Sequence, residues 1–293
     1  MDQPLPTSSD SGPRYARVSP RERPRRPDSY ARRLSGVATP LLGSRLLFPR
    51  LLDKAVERLL DGSQDVLVLP DHARWYFGRA LNFNIDPARL TSRLSDFVRD
   101  ERGPHWIGTS FLDAGDWRKA LRPLAGSPVH REVSELVAAD LDFTETRAYG
   151  ELLAAAGRGR PARRYGVPLA GPAEVDAYFR YCVDLIRSMR KHGIVPRREF
   201  RTFRKRWFRH RDARPPKFEG SERDIGVAIG AGGELVRHLG GKHRTAIAQA
   251  VGLHSIPIEI RLVHVGWLAG AMERTGLPAH QALGQALKAL REG

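Results

Sequence analysis

The chain has 293 residues, of which 41% are hydrophobic and 28% are charged, so it can bury the core of one large domain or of two ordinary ones. Its formal net charge is +16 and its pI is about 10.7, which favours a polyanionic partner such as nucleic acid, a nucleotide or an anionic membrane surface. The alternative is that the many arginines reflect the base composition of the genome, in which case the charge does not indicate a partner. A single cysteine excludes an intrachain disulfide, and the lack of a secretory h-region or of about 18 consecutive apolar residues predicts a cytoplasmic protein without a transmembrane helix.

Proline, serine and arginine dominate the beginning of the chain. Residues 1–36 hold few side chains that could form a core, so we predict a disordered basic arm. Such an arm is suited to contact nucleic acid or lipid, and it is equally suited to act as a solubilising tail.

Residues 37–190 are predicted to be mainly helical, because apolar residues recur there with the 3.6-residue period. One of these helices has Asp86 as its cap and Pro87 at its first position. Cys182 lies in another, where we expect a small buried side chain rather than a nucleophile. "DVLVLP" predicts a short buried strand that ends at Pro70, and "GPHWIGTSFLDAGDW" predicts a loop. The predicted helices are 49–62, 86–101, 127–141, 143–157 and 173–193.

Residues 191–220 are predicted to be a basic connector that also contains aromatic residues. Between Arg190 and Lys217 the sequence has twelve Lys or Arg against two acids. Cations interleaved with aromatic rings suit a nucleic-acid surface that also stacks bases. The alternative is a connector whose rings pack on the core while its arginines are solvated. The residues that would bind nucleic acid are Arg204, Lys205, Arg206 and Arg209.

Residues 221–293 predict a β-β-α-β unit that is followed by a C-terminal amphipathic helix. "DIGVAIG" and "ELVRHLG" are the strands of a hairpin around the turn "AGG", and "HRTAIAQAVG" is a short helix. "IPIEIRLVHV" is the third strand. The predicted fold class is therefore α+β, with a mainly helical region before this unit.

The stretch "GGKHR" stands directly before the short helix of this unit. The first N–H groups of a helix have no partner within the helix, and the helix dipole makes that end positive. A phosphate group gains hydrogen bonds and favourable charge there, and glycine lets the backbone approach it closely. The pattern predicts a phosphate site formed by Gly240, Gly241, Lys242, His243 and Arg244.

The segment from Asp224 to Trp267 resembles the ParB/sulfiredoxin superfamily. The resemblance rests on the hairpin, on a Gly-x-x-Arg motif at Gly241–Arg244, on the Ala-rich helix that ends in "GL", and on "IP" at the start of the next strand. It implies a nucleotide site for ATP, ADP or CTP, with phosphoryl transfer or nucleotide hydrolysis as the reaction. It also leaves room for a protein without catalytic activity that binds DNA or serves as an interaction module.

Two departures from the family narrow the chemistry that the resemblance implies. Lys242 stands where a sulfiredoxin has its cysteine, and Gly240 stands where a free-serine kinase has an acid. After Trp267 too few residues remain for the helix-turn-helix of chromosome-segregation proteins.

Carboxylates and a histidine near the predicted site are the candidate catalytic groups. We assign this role to Glu222, Asp224 and His243, with Mg²⁺ bridging the nucleotide phosphates. Glu259 lies on an alternating strand and is expected to face solvent. The other histidines of this unit do not have the spacing of metal ligands, so we predict no metal site built from protein side chains alone. These histidines are His238, His254 and His264.

Overall fold

The computed structural model describes residues 13–18, 39–63, 68–164, 167–195 and 224–292, and in these ranges the protein is α+β. Its helices are α1 (Phe48–Leu60), α2 (Pro70–Phe77), α3 (Pro128–Ala138), α4 (Arg147–Gly157), α5 (Pro172–His192), α6 (Lys242–Ala250), α7 (Val265–Thr275) and α8 (Ala279–Glu292). Its strands are β1 (Ala16–Arg17), β2 (Asn82–Ile85), β3 (Ser92–Leu94), β4 (Phe97–Asp100), β5 (Gly103–Trp106), β6 (Leu112–Asp113), β7 (Leu121–Pro123), β8 (Arg163–Arg164), β9 (Val167–Pro168), β10 (Ile225–Ile229), β11 (Leu235–Arg237) and β12 (Ile256–His264).

A seven-stranded sheet organises the fold, with the order β2-β12-β10-β11-β3-β7 and with β6 also pairing with β12. β10 and β11 form the antiparallel hairpin, whereas β10 and β12 run parallel. On its other edge, β12 pairs first with the antiparallel β2 and then with the parallel β6. The strands of residues 221–293 therefore share one sheet with strands that come from residues 82–123.

Different partners cover the two faces of this sheet. Val227 and Ile229 belong to the larger core, which the helices complete. Ala228 and Leu262 point to the opposite face and pack against a small sheet of β1, β4 and β5 that contributes Val98. Because both faces are covered, β10 and β12 consist of nearly continuous apolar residues, as is typical of central parallel strands.

The predicted helix at 86–101 is wrong. Asp86 does cap a turn, since its side chain accepts a hydrogen bond from Ala88 N, but this turn is a single 3₁₀ turn followed by β3 and β4. The apolar residues that suggested a helix are buried core residues spaced four apart, a spacing that fits both the helical period and the strand period of two. They are Leu90, Leu94 and Val98.

Most of the other predicted elements are confirmed. The helices at 49–62, 127–141, 143–157 and 173–193 correspond to α1, α3, α4 and α5, and the C-terminal order of strand, strand, helix and strand corresponds to β10, β11, α6 and β12. Helices α2 and α7 were not predicted. Pro70, expected to end a strand that begins outside the described residues, starts α2, and the expected loop at 103–117 contains β5 and β6.

Part of the expected N-terminal arm is structured. Residues 13–18 contain β1, which pairs with β4, and the side chain of Tyr15 is buried. The rest of residues 1–36 lies outside the described residues, as does most of the predicted connector at 191–220.

Cys182 is a buried core residue, as the sequence predicts. Burial raises the pKa of its thiol to about 12, so the side chain stays protonated and is a poor nucleophile. Within the part of the chain that the structure describes, every helix is too short or too polar to cross a membrane.

Gly226 tests the packing of β10 against the turn before α6. A Cβ atom at this position would lie 2.3 Å from the carbonyl oxygen of Leu239, so we expect Gly226→Ala to lower the free energy of unfolding by about 1–3 kcal/mol. Gly150, in the exposed part of α4, is the matched control: nothing lies near its added Cβ, and Gly150→Ala should stabilise by about 0.5–1 kcal/mol. Urea unfolding of both variants measures the difference, and equal effects would contradict the close approach.

Candidate functional site

The turn between β11 and α6 has an unusual backbone. Leu239, Gly240 and Gly241 all have positive φ, at 35°, 81° and 68°. Gly241 caps α6 in the left-handed conformation and provides no side-chain cap, and a Cβ atom on it would lie 2.7 Å from Ile225. Only glycine fits this position, which explains the second glycine of "GGKHR".

The backbone conformation of this turn is of a kind that forms anion-binding concavities in proteins. The left-handed Gly241 is followed directly by the right-handed Lys242, and successive N–H groups converge in such an alternation. The carbonyl oxygens of Leu239 and Gly240 accept hydrogen bonds from arginine side chains. Because the N–H of a trans peptide points opposite to its C=O, the N–H groups of Gly240 and Gly241 point away from those arginines.

Arg261 fixes the turn from the β12 side. Its guanidinium donates to the carbonyl oxygens of Leu239 (3.1 Å) and Asp224 (2.9 Å) and to Glu259 Oε2 (3.0 Å). The register of β10 against β12 shifts at this point, because Val227 pairs with Ile260 while the next residue pairs with Leu262. Arg261 is therefore the extra residue of a β-bulge, a feature that redirects a side chain out of the regular alternation.

Glu259 is not a solvent-facing acid, contrary to the expectation from the strand pattern. It is buried, with 4% of its surface exposed, and it lies between two arginines. Arg74 of α2 donates to its Oε1 from Nε (2.9 Å) and from Nη2, and Arg261 binds its Oε2. Its position on the sheet was predicted correctly, but the small sheet and α2 cover that face. With both oxygens engaged, Glu259 holds Arg261 and is poorly placed to act as a base.

The cations of the predicted site differ in exposure. Lys242 is exposed at the first position of α6, whereas Arg244 is buried and its Nη1 lies 3.9 Å from Oδ1 of the nearly buried Asp224. Arg237 donates from Nη1 to the carbonyl oxygen of Gly240 (3.0 Å). The structure therefore brings Gly240, Gly241, Lys242, Arg244 and Asp224 together at one end of β10.

The ring of His243 takes part in a second polar network, between the helices. Tyr178 of α5 donates to Glu132 Oε2 (2.6 Å), and its oxygen lies 3.0 Å from His243 Nε2. Since the single phenolic proton goes to Glu132, the His243 ring must donate from Nε2 to Tyr178. Arg164 donates to both oxygens of Glu132, which completes the network.

Burial lowers the pKa of His243 to about 3, and the charges of Arg164 and Lys242 act in the same direction. The ring is therefore neutral at physiological pH. It contributes its backbone to the start of α6 rather than a positive charge to an anion. A catalytic role for this residue remains a prediction from the sequence.

The remaining predicted residues are placed as follows. Glu222 lies outside the described residues, and so do Arg204, Lys205, Arg206 and Arg209. In the described ranges no group of three or more His, Cys, Asp or Glu side chains could hold a metal ion. Asp224 is the carboxylate beside α6 that neighbours the predicted phosphate site.

Sequence reasoning missed the arginines that support the site. Arg74, Arg237 and Arg261 come from three different elements, and Arg74 lies 185 residues away from its partner Glu259. One signal was present: Glu259 and Arg261 stand two apart in an otherwise apolar strand, a spacing that favours one shared face and therefore an ion pair.

Comparison of the chain with protein-family models, with curated proteins and with solved structures gives no match. The resemblance to the ParB/sulfiredoxin superfamily therefore rests on the motif at Gly241–Arg244 and on the order of the elements around it.

The depressed pKa of His243 predicts an acid-sensitive stability. A histidine whose pKa falls from 6.5 to about 3 on folding stabilises the folded state only above its unfolded pKa, and each pH unit from about 6.5 down to 3 should cost about 1.4 kcal/mol. We expect His243→Gln, whose amide can still donate to Tyr178, to flatten the dependence of unfolding free energy on pH in this window. The exposed His254 provides the control, and His254→Gln should keep the wild-type slope. Parallel slopes for wild type and His243→Gln would contradict the burial of this ring as a neutral group.

Proposed function

We propose that the turn before α6 and the first residues of this helix bind the phosphates of a nucleotide, in a unit similar to those of the ParB/sulfiredoxin superfamily. The observation that carries the proposal is the alternation of the left-handed Gly241 and the helical Lys242 at a helix N-terminus without a side-chain cap. Backbone N–H groups arranged in this way, together with the helix dipole, favour an anion.

Two cations lie on the side of the turn where the phosphate would bind, and two more lie behind it. Lys242 is exposed and can reach a phosphate oxygen as a point charge. Arg244 follows two residues later, where its fork of N–H donors suits two oxygens of one phosphate. Arg237 and Arg261 lie behind the turn and bind its carbonyl oxygens, which keeps the N–H groups oriented toward the phosphate side.

A magnesium ion is compatible with these residues only as a partner of the nucleotide. Mg²⁺ in nucleotide sites is commonly held by one or two carboxylates together with phosphate oxygens, and Asp224 provides one such carboxylate beside Arg244. When bound, the ion would neutralise charge on the phosphates. Glu222, two residues before Asp224 in the sequence, is the second acid in this proposal.

The reaction that we propose is phosphoryl transfer or nucleotide hydrolysis, with ATP, ADP or CTP as the nucleotide. Asp224 is the residue best placed to orient a hydroxyl group or water, because it is nearly buried and its charge is compensated by Arg244. His243 would act through the position of its backbone, since its neutral ring binds Tyr178.

Nucleotide titration with two variants tests the site. Arg244→Lys keeps a cation beside Asp224 but removes the fork, and we expect it to weaken binding of the preferred nucleotide by about tenfold or more. Lys242→Gln, at an exposed position, should weaken binding several-fold without changing the thermal midpoint. Lys288 in α8 is the matched control, because its side chain is 74% exposed and Lys288→Gln leaves the turn intact. Isothermal titration of ATP, ADP, CTP and GTP with and without Mg²⁺, followed by product analysis, gives the readout.

Binding of the four nucleotides to the wild type is the first result that decides the proposal. If none of the four nucleotides binds with or without Mg²⁺, the proposal fails. If one binds but Lys242→Gln, Arg244→Lys and Lys288→Gln all bind it equally well, the nucleotide lies elsewhere.

The alternative function is nucleic-acid binding, which the net charge of +16 favours. Its surface would include Arg204, Lys205, Arg206 and Arg209, outside the described residues. Affinity for DNA or RNA that falls steeply with salt, and that drops when these four positions are neutralised, would support it. Nucleic-acid binding that Arg244→Lys leaves unchanged would separate this function from the nucleotide site.

A further inference from the structure

A cavity of about 380 Å³ lies along the segment that leads into β6 and reaches the carboxyl end of this strand, and neither the turn before α6 nor α6 contributes to its lining. Asp113 at this end of β6 pairs with His264, the last residue of β12, whereas the turn before α6 lies beside Ile225, which pairs with Ile258. Six residues of strand separate the two positions, roughly 20 Å at 3.3 Å per residue. We call this cavity the Tyr15 cleft, and it is lined by Tyr15, Arg102, His105, Trp106, Ser110 and Asp113 together with apolar neighbours.

The carboxylate of Asp113 lies in the wall of the cleft and holds neighbouring groups in place. Its Oδ1 accepts from the Tyr15 hydroxyl (2.6 Å), and its Oδ2 accepts from Trp117 Nε1 (2.6 Å) and from Gly115 N (2.9 Å). Burial and the charge of Asp113 both raise the pKa of Tyr15, so this hydroxyl stays a donor. Because its two oxygens already accept three hydrogen bonds, the Asp113 carboxylate has little hydrogen-bonding capacity left for a ligand.

A second carboxylate positions two basic side chains at the cleft. The side chain of Asp100 is fully buried, and its Oδ2 accepts from Arg102 Nε (3.1 Å) and Nη2 (2.7 Å), while its Oδ1 accepts from Arg102 N (2.9 Å). His105 Nδ1 lies 3.6 Å from Asp100 Oδ1 and 3.3 Å from the carbonyl oxygen of Gly103. Because a carbonyl oxygen only accepts, Nδ1 carries the proton.

These contacts leave specific atoms for a ligand. Arg102 Nη1 and His105 Nε2 form no hydrogen bond with the residues that the structure describes, and the two side chains are 48% and 30% exposed. The aromatic ring of Trp106 and the apolar side chains of Leu59 and Leu112 line the same cavity. One fixed cation, one imidazole and apolar walls therefore converge on a volume within the usual range of small-molecule sites.

We propose that the Tyr15 cleft binds a small organic anion, with its carboxylate or phosphate group on Arg102 and its planar apolar part against Trp106, Leu59 and Leu112. An anion is favoured over an amine because the oxygens of Asp100 and Asp113 are already engaged, whereas Arg102 Nη1 donates to none of the residues that the structure describes. A guanidinium group held by a buried carboxylate binds such a group with little loss of side-chain entropy.

A set of four small probes tests the charge of the ligand. Phenyl phosphate, benzoate, benzylamine and benzyl alcohol share one aromatic ring and differ in the attached group. In isothermal titration and ligand-observed NMR with the full chain, we expect at least one of the two anions to bind and the amine and alcohol to bind at least tenfold more weakly. The tighter of the two anions identifies the preferred group.

Variants then locate the binding. Arg102→Gln should weaken binding of the anion about tenfold or more, and Arg102→Lys should restore part of it. Arg118 is the matched control, since it contacts Asp116 through the same three atoms but is 77% exposed and lies outside the cleft, so Arg118→Gln should change affinity less than twofold. Ser63→Trp, at a lining residue that does not touch Asp100, should abolish binding even if Arg102→Gln does not fold.

Several results would overturn the proposal. These are the absence of binding by both anions at millimolar concentration, equal binding of benzylamine or benzyl alcohol, and unchanged anion binding in folded Arg102→Gln or in folded Ser63→Trp. Arg244→Lys separates the two sites, because it should leave phenyl phosphate binding in the cleft unchanged. Loss of phenyl phosphate binding in Arg244→Lys would place this anion at α6 and refute the cleft as its site.

Discussion

One buried guanidinium, that of Arg261, joins the parts of the protein that form the proposed phosphate site. It binds the carbonyl oxygen of Leu239 in the turn, the carbonyl oxygen of Asp224 at the start of β10, and the carboxylate of Glu259 on its own strand. The carbonyl oxygen of Leu239 also accepts from Gly226 N (3.1 Å), so the turn is held by the backbone of β10 as well as by Arg261. The β-bulge at Arg261 makes these contacts possible, and Glu259 in turn accepts from Arg74, so a helix from the first third of the chain is tied to the same point.

The side chains of the first three residues of α6 lie in three different environments. Successive residues of a helix point about 100° apart, so Lys242 faces solvent, His243 faces the helices, and Arg244 faces Asp224. The neutral ring of His243 anchors the start of α6 to Tyr178, while the two cations remain on the side of the turn. A histidine that looks like an active-site group in the sequence therefore stabilises the position of the helix, and this explains why its burial is tolerated.

The sequence predicts local structure here better than it predicts assembly. The glycine pair before α6 and the hairpin of β10 and β11 follow from local rules, because glycine readily adopts the left-handed φ found at Gly241 and a short apolar run bounded by glycines suits a strand. The strands in residues 82–123 could not be predicted in the same way, since Leu90 and Leu94 are spaced to suit a helix as well. For Glu259 the face of the strand was predictable, but the elements that cover this face come from distant parts of the chain.

The proposed phosphate site and the Asp113 end of the Tyr15 cleft lie at opposite ends of the parallel pair of β10 and β12, and this separation constrains a joint mechanism. Reacting atoms must approach to about 3–3.5 Å, whereas roughly 20 Å of strand lies between the turn before α6 and Asp113. A ligand bound beside Asp113 is therefore not the direct acceptor of a phosphoryl group held at α6. β12 connects the two positions, since Arg261 binds the turn and His264, three residues later, pairs with Asp113. A coupling between them would then appear as a change in the affinity of one site when the other is occupied, of equal size in both directions.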